Sequence, residues 1–264
     1  MAKKTLLEIV QGILSDINSD NVDSITDTED SEQCAQIVRS TYEALINGKN
    51  WPHTRRLIQI DASGNDALPT HMYLKDSVKE LLLINYDKRK VSDGARTRFE
   101  PVKYLDPDNF LRVCNIRDNT ESNVIVITDP GSLIKLNIRD DLAPTYFTSF
   151  DDSTLIFDSY DSAVDDTLQK SKIQAYGYVI PAWVHEDDAI PDLPEEAFSL
   201  LIEEAKSASA LRIAKEADQK AEQESRRQRN WIARKDWTVA GGIKFPNYGR
   251  RSYKGTRDVT FRRD

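Results

Sequence analysis

The chain has 264 residues, 44 Asp and Glu against 36 Lys and Arg, a formal net charge of −8 and 39% apolar side chains. That is enough chain to bury a sizeable core in one domain or two, with the composition of a rather polar globular protein. No run of about 18 apolar residues is present, so no membrane span is expected, and Met1-Ala2-Lys3-Lys4 leads into an amphipathic segment instead of a signal-peptide core.

The spacing predicts a first helix over residues 5–17, with Leu6, Val10, Ile13, Leu14 and Ile17 on one face. A polar stretch anchored by Val22 and Ile25 follows. A second helix begins between Thr28 and Ser31, carries the stripe Cys34, Ile37, Val38, Thr41, Tyr42, Leu45, Ile46, and ends at Gly48 before Trp51-Pro52. From Arg55 the period shifts towards strands: residues 57–60, 78–87 and 99–105, with a turn at 62–66. A short helix between 106 and 117 starts at Asp106-Pro107 and turns Phe110, Leu111, Val113 and Cys114 inward. Further strands are expected at 124–128, 133–138, 146–150, 155–158 and 173–180. Their spacing suits an antiparallel meander, a sandwich or a small barrel.

An acidic, proline-containing connector (182–193) precedes the most distinctive stretch, residues 194–237. Pro194 with Glu195 and Glu196 forms a helix start, and no glycine or further proline occurs until Gly241. Phe198, Leu201, Ala205 and Ala208 give way to Ala210, Ala214, Ala217 and Ala221. If continuous, this helix would run roughly 60 Å at 1.5 Å per residue. The remaining residues, 238–264, hold glycines, Phe245, Tyr248, Tyr253 and Phe261, and show little helical period. Residues 225–264 carry twelve Lys and Arg against three acids, or +9, which leaves −17 on the rest. An acidic body with a basic end reads as a body with an interaction arm.

The fold class expected is therefore α+β. Residues 1–53 supply the N-terminal helices of a helical bundle, 54–189 a β-rich insertion with a short helix, 190–237 a long C-terminal helix, and 238–264 an extended docking arm.

Motifs of chemistry are scarce. His53, His71 and His185 fall in no metal-binding spacing, and no phosphate loop, G-x-G-x-x-G or G-x-S-x-G is present. Cys34 lies in an apolar stripe and reads as core; with Cys114, a reduced buried pair is expected, a disulfide being the alternative. The pairs Asp140-Asp141, Asp151-Asp152, Asp165-Asp166 and Asp187-Asp188 could be read as the two carboxylates of a glycan hydrolase. Each falls at a predicted turn, where aspartate serves local hydrogen bonding. No catalytic residue, cofactor or metal is assigned. The basic, aromatic end admits two readings: arginines on phosphate with rings stacked on bases, or an arm that docks on a protein partner.

The order of short motifs resembles one family. Ile9-Val10-Gln11-Gly12-Ile13-Leu14-Ser15-Asp16-Ile17 is followed by the loop with Val22 and Ile25, then a helix ending Asn47-Gly48-x-x-Trp51. Then come Leu68-Pro69, Tyr104-Leu105-Asp106-Pro107-Asp108-Asn109-Phe110-Leu111, Ile190-Pro191-Asp192-Leu193-Pro194 and Arg226-Arg227-Gln228-Arg229. This series resembles the head-to-tail adaptors of tailed bacteriophages, also called tail tubular protein A or head-completion proteins. The β-rich middle and the basic tail are longer than in the smallest members.

The resemblance implies a non-enzymatic virion protein at the head–tail junction, made in the host cytoplasm. It implies a ring of identical subunits, commonly twelve, seated on the portal, with the tail nozzle or tail fibre proteins below. DNA would pass through the lumen during genome ejection without sequence-specific binding. The provisional portal-docking set is Arg226, Arg227, Arg229, Trp231, Trp237, Phe245, Tyr248, Arg250 and Arg251. The alternatives are a virion protein that binds DNA through its basic tail and, behind it, a virion-associated glycan hydrolase.

Overall fold

The computed structural model describes residues 3–90, 94, 97–215 and 217–235. Among them the elements run α1 (Leu6–Asp16), α2 (Glu29–Gly48), β1 (Arg55–Ile58), β2 (Asp61–Ala62), β3 (His71–Tyr73), β4 (Val78–Asp87), β5 (Phe99–Tyr104), α3 (Pro107–Asn115), β6 (Val124–Thr128), β7 (Lys135–Arg139), β8 (Tyr146–Ser149), β9 (Thr154–Phe157), β10 (Ile173–Val179), α4 (Glu195–Arg212) and α5 (Gln219–Lys235). The chain is thus α+β. It divides into a helical unit, Met1–Glu43 with Val184–Asp264, and a β-rich unit, Ala44–Trp183.

In the helical unit, capping residues set where the helices begin. Thr5 and Glu8 form a reciprocal capping box at the start of α1, satisfying two backbone donors that the helix leaves open. Thr28 and Ser31 exchange the equivalent pair of bonds at the start of α2, and the buried Ser31 hydroxyl also donates to Ile25 and Thr28 carbonyls. Leu6, Ile9, Val10, Ile13 and Leu14 are buried on α1, which packs on α4. The α2 stripe is buried as its spacing predicts, with Thr41 half-buried. Cys34 of α2 reaches Ser209 of α4, Sγ to Oγ 3.8 Å.

The connector before α4 is fastened to the N-terminal segment. Leu6 and Leu7 amides donate to Ala189 and Asp187 carbonyls. The Asp187 carboxylate accepts from the Ile25 amide (2.8 Å) and the Ser24 hydroxyl (3.3 Å).

The single helix expected over residues 194–237 is instead two. Helix α4 ends at Arg212, Lys215 takes a left-handed backbone (φ 57°), and Asp218 caps α5 by accepting from the Lys220 and Ala221 amides, each at 3.0 Å. The pieces are roughly 27 and 26 Å long at 1.5 Å per residue. Residues 213–218 hold good helix formers, so propensity favours continuing. Tertiary packing decides otherwise: α5 packs on α4 and buries Ala221, Ser225 and Ile232. Ala210 and Ala221 are buried within this helical unit, while Ala214 and Ala217 stay exposed at the reversal. The alanine series therefore does not run along one continuous helix face.

In the β-rich unit, eight strands form one curled sheet in the order β1-β10-β4-β5-β8-β9-β3-β2, and β6 with β7 makes a separate hairpin. Neighbours pair antiparallel except β5 with β8. The simple meander is overturned by this order. A parallel pair requires a crossover, and residues between β5 and β8 supply one: α3, which packs on β7 and β8, and the β6–β7 hairpin. Strands β1 and β2 lie at opposite ends of the order, yet only Gln59 and Ile60 separate them. Three residue steps of extended chain span about 10 Å, so the sheet must curl until its ends are that close. Ile60 at this link is fully buried and joins a core with Ile84, Phe110, Leu136, Ile138 and Phe157.

Three devices fix this unit, and each joins distant positions. The buried Asp158 carboxylate accepts from the Thr145 and Tyr146 amides (2.9 and 2.8 Å) and from Arg117 (2.8 Å). Arg117 also donates to the Asp158 and Asn137 carbonyls, and Asn137 returns a bond to the Arg117 carbonyl. One ion pair therefore ties the end of α3 to β7, β8 and β9. Second, Lys79 Nζ donates to the carbonyls of Ile46, Asn47 and Lys49 at 3.0, 2.9 and 2.9 Å. A cation thus meets the negative end of the α2 dipole and its open carbonyls, while Trp51 Nε1 donates to Leu45. Third, Gly177 sits where β10 slips register against β4. A Cβ there would lie 2.1 Å from the Glu80 carbonyl oxygen and 2.9 Å from Ile58 Cδ1, so only glycine fits.

Candidate interaction surface

Of the provisional docking set, Arg226, Arg227, Arg229 and Trp231 lie on α5; Trp237, Phe245, Tyr248, Arg250 and Arg251 lie outside the described residues. Helix α5 carries its acids towards its N-terminus and its bases towards its C-terminus, the sense that opposes the macrodipole. Successive residues turn by about 100°. Ala221, Ser225 and Ile232 therefore share the seam against α4, and Arg226, Arg227 and Trp231 face away from it.

The arginines are not bare cations. Arg226 pairs with Glu222 one turn back, and Arg227 with Glu224 at 3.3 Å, the acid-before-base order that suits a helix surface. Arg229 reaches across to Glu204 of α4, whose Oε1 also accepts from the Ser225 hydroxyl at 3.1 Å. Glu204 is mostly buried (13% exposed), so this clamp helps hold the two helices together. Arg229 thus has a structural task that its sequence pattern did not reveal. Trp231 is about half exposed on the outer face. The structure brings Arg226, Arg227 and Trp231 onto one solvent-facing surface, and it engages Arg229, itself exposed, with Glu204 across the α4–α5 seam.

Other exposed apolar groups lie in the β-rich unit, where sequence reading marked none. Leu57 of β1 and Leu83 of β4 flank Tyr176 of β10 in one cross-strand row, and Leu57 is 83% exposed. At the tip of the β6–β7 hairpin, Leu133 and Ile134 also face solvent. Alternation in β4 and β1 could have flagged the first group; the second needed the turn geometry.

The carboxylate pairs are occupied locally. Asp141 holds Arg139 (2.6 Å) and Asn123 (3.2 Å), Asp151 caps the β8–β9 turn through the Ser153 and Thr154 amides, and Asp165 pairs with Lys172. Asp187 is more than a turn residue, since it fastens a loop 162 positions away. Asp140, Asp141 and Asp161 line an open hollow of about 610 Å³ with Lys90 and Asn123. Among the described residues no group of three or more His, Cys, Asp or Glu is placed to hold a metal ion, and no helix is long and apolar enough to cross a membrane. Cys34 and Cys114 are free and buried; burial pushes both thiols up to about 11, which leaves them protonated near neutral pH.

A scan of protein-family models gives no match to this chain, and no curated protein matches it.

Proposed function

We propose that this chain is a structural adaptor of the phage head-to-tail kind: a subunit of a homo-oligomeric ring that sits on a portal and docks by its basic, aromatic end. The observation that carries the reading is the ordered series of motifs along nearly the whole chain, from Ile9-Val10-Gln11-Gly12 to Arg226-Arg227-Gln228-Arg229. The helical segments from the two ends of the chain belong to one unit, and the β-rich unit is inserted between them, which suits a helical bundle with an insertion. Helix α5 ends at Lys235, shortly before the proposed arm, residues 238–264, which hold seven Lys and Arg and four aromatic rings. Such an arm would gain its order on its partner, which suits a late assembly step.

Tail binding to DNA is the competing reading. The ion pairs of Arg226, Arg227 and Arg229 weigh against α5 as its phosphate-gripping surface, because each pair would have to break first.

Mass measurement of the purified protein, alone and then mixed with the portal ring of the same virus, tests the proposal. A defined ring-on-ring complex formed without DNA, and lost when residues 241–264 are deleted, is the expected result. No portal binding, together with tight salt-sensitive binding to duplex DNA, would overturn it.

A further inference from the structure

His71 is the one histidine inside the β-rich unit's buried sheet surface: it is 2% exposed on β3, opposite Ile156 of β9. Neither ring nitrogen has a hydrogen-bond partner within bonding distance, an arrangement that a buried polar group adopts at a cost. Two aspartates address it, each from a different turn. Asp129 Oδ1, at the β6–β7 turn, lies 3.8 Å from His71 Nε2, and the field of Asp151 reaches it from the β8–β9 turn.

Asp129 is also the clamp of its own turn. Its Oδ2 accepts from the Ser132 amide at 2.7 Å and the Ser132 hydroxyl at 2.6 Å. That clamp, with the Leu133 amide bonded to the Asp129 carbonyl, holds Leu133 in a left-handed backbone (φ 60°) that a branched aliphatic residue rarely adopts. The same turn presents Leu133 and Ile134 to solvent. One carboxylate thus stands between a buried imidazole and a strained, apolar hairpin tip.

We propose that His71 is a proton-sensing residue which, on protonation, draws the Asp129 carboxylate away from Ser132 and releases the Leu133–Ile134 tip. A charged imidazolium draws its carboxylate to about 2.7–2.9 Å, roughly 1 Å closer than the observed approach of Oδ1. Because the two carboxylate oxygens move as one rigid group, that shift of Asp129 would pull Oδ2 away from Ser132. Burial holds His71 neutral below its ordinary titration range, and Asp129 works against that burial. The direction follows. A base whose folded-state affinity for protons is lowered has the clamped form intact at and above its ordinary value, about pH 6.5, and loses it only as the pH falls through the lower folded-state value.

Nuclear magnetic resonance on the full chain between pH 7.5 and 5 tests this, following the His71 ring and the Ser132 amide together. The Ser132 amide is expected to lose at least about tenfold of its hydrogen-exchange protection, corrected for intrinsic rates, with the midpoint at which His71 titrates. His71→Gln should make that protection independent of pH. Identical pH profiles for the wild type and His71→Gln would overturn the proposal. Should that variant not fold, Asp129→Asn keeps His71 and loses its counter-charge: the His71 midpoint is expected to fall further, and an unchanged midpoint would equally overturn it.

Discussion

In the helical unit, the helix starts are set by residues within a turn of them, Thr5 with Glu8, Thr28 with Ser31, Asp218 with Lys220 and Ala221. A few longer ties, such as Asp187 to Ile25 and Arg229 to Glu204, join the pieces. In the β-rich unit, local aspartates such as Asp151 cap single turns, but the residues that tie its strands and helices to one another are far apart in sequence. Asp158 is met by Arg117, and Lys79 caps a helix end 30 or more positions earlier. A helix closes its backbone bonds on itself, so local caps finish it, whereas a strand must find a partner elsewhere. Long-range polar ties are how this curled sheet fixes which strands meet. The two units should therefore fail differently when single residues are removed.

The largest effect is expected at Asp158. Asp158→Ala strands Arg117 as a largely buried, uncompensated cation and orphans two amides, a loss of about 3–5 kcal/mol, read as a lower urea midpoint. Arg117→Met with Asp158→Leu together should recover part of that loss, because the buried charge is then gone from both sides. Gly177→Ala comes next. Its Cβ meets the Glu80 carbonyl, so the β4–β10 ladder must shift, at a cost of about 1–3 kcal/mol; unchanged stability would mean that the register slip is not fixed by glycine.

In the helical unit the effects are smaller. Asp187→Ala removes the acceptor for the Ile25 amide and should cost about 1–2 kcal/mol, measured by thermal unfolding. Lys215→Gly should stabilise slightly, by about 0.5 kcal/mol, because the left-handed cost of about 1–2 kcal/mol is relieved and glycine gives back ~0.5–1 in chain entropy. A destabilised Lys215→Gly would show that the α4–α5 reversal is not held in the left-handed form. Equal losses at Asp158 and Asp187 would erase the contrast between the units.

The interaction surface was only partly legible. Exposed bases and an aromatic residue on α5 could be found from composition, and the structure keeps Arg226, Arg227 and Trp231 at the surface. That Arg229 closes on Glu204 could not be read, because the helix reversal that makes them neighbours was not legible either. His71 gave no motif at all. Its meaning comes from the two turns whose aspartates address it, which lie some 60 and 80 positions away along the chain.

The sequence by itself determined the beginning and end of α1 and α2, the short helix α3, and most strands to within a residue or two, including β4 and β6 at their full lengths. Those features rest on apolar period, caps and turn residues, which act over a few positions. Only the tertiary structure decided that residues 194–235 fold back as a hairpin of helices, that β5 pairs with β8, and that β1 and β2 stand at the two ends of a curled sheet. In each case local propensity allowed more than one answer. The choice fell to the arrangement that buries Ala221 and Ile232 against α4, or Ile60 and Phe110 within the sheet core, since burial of apolar surface outweighs the few tenths of a kcal/mol that separate ordinary residues in propensity.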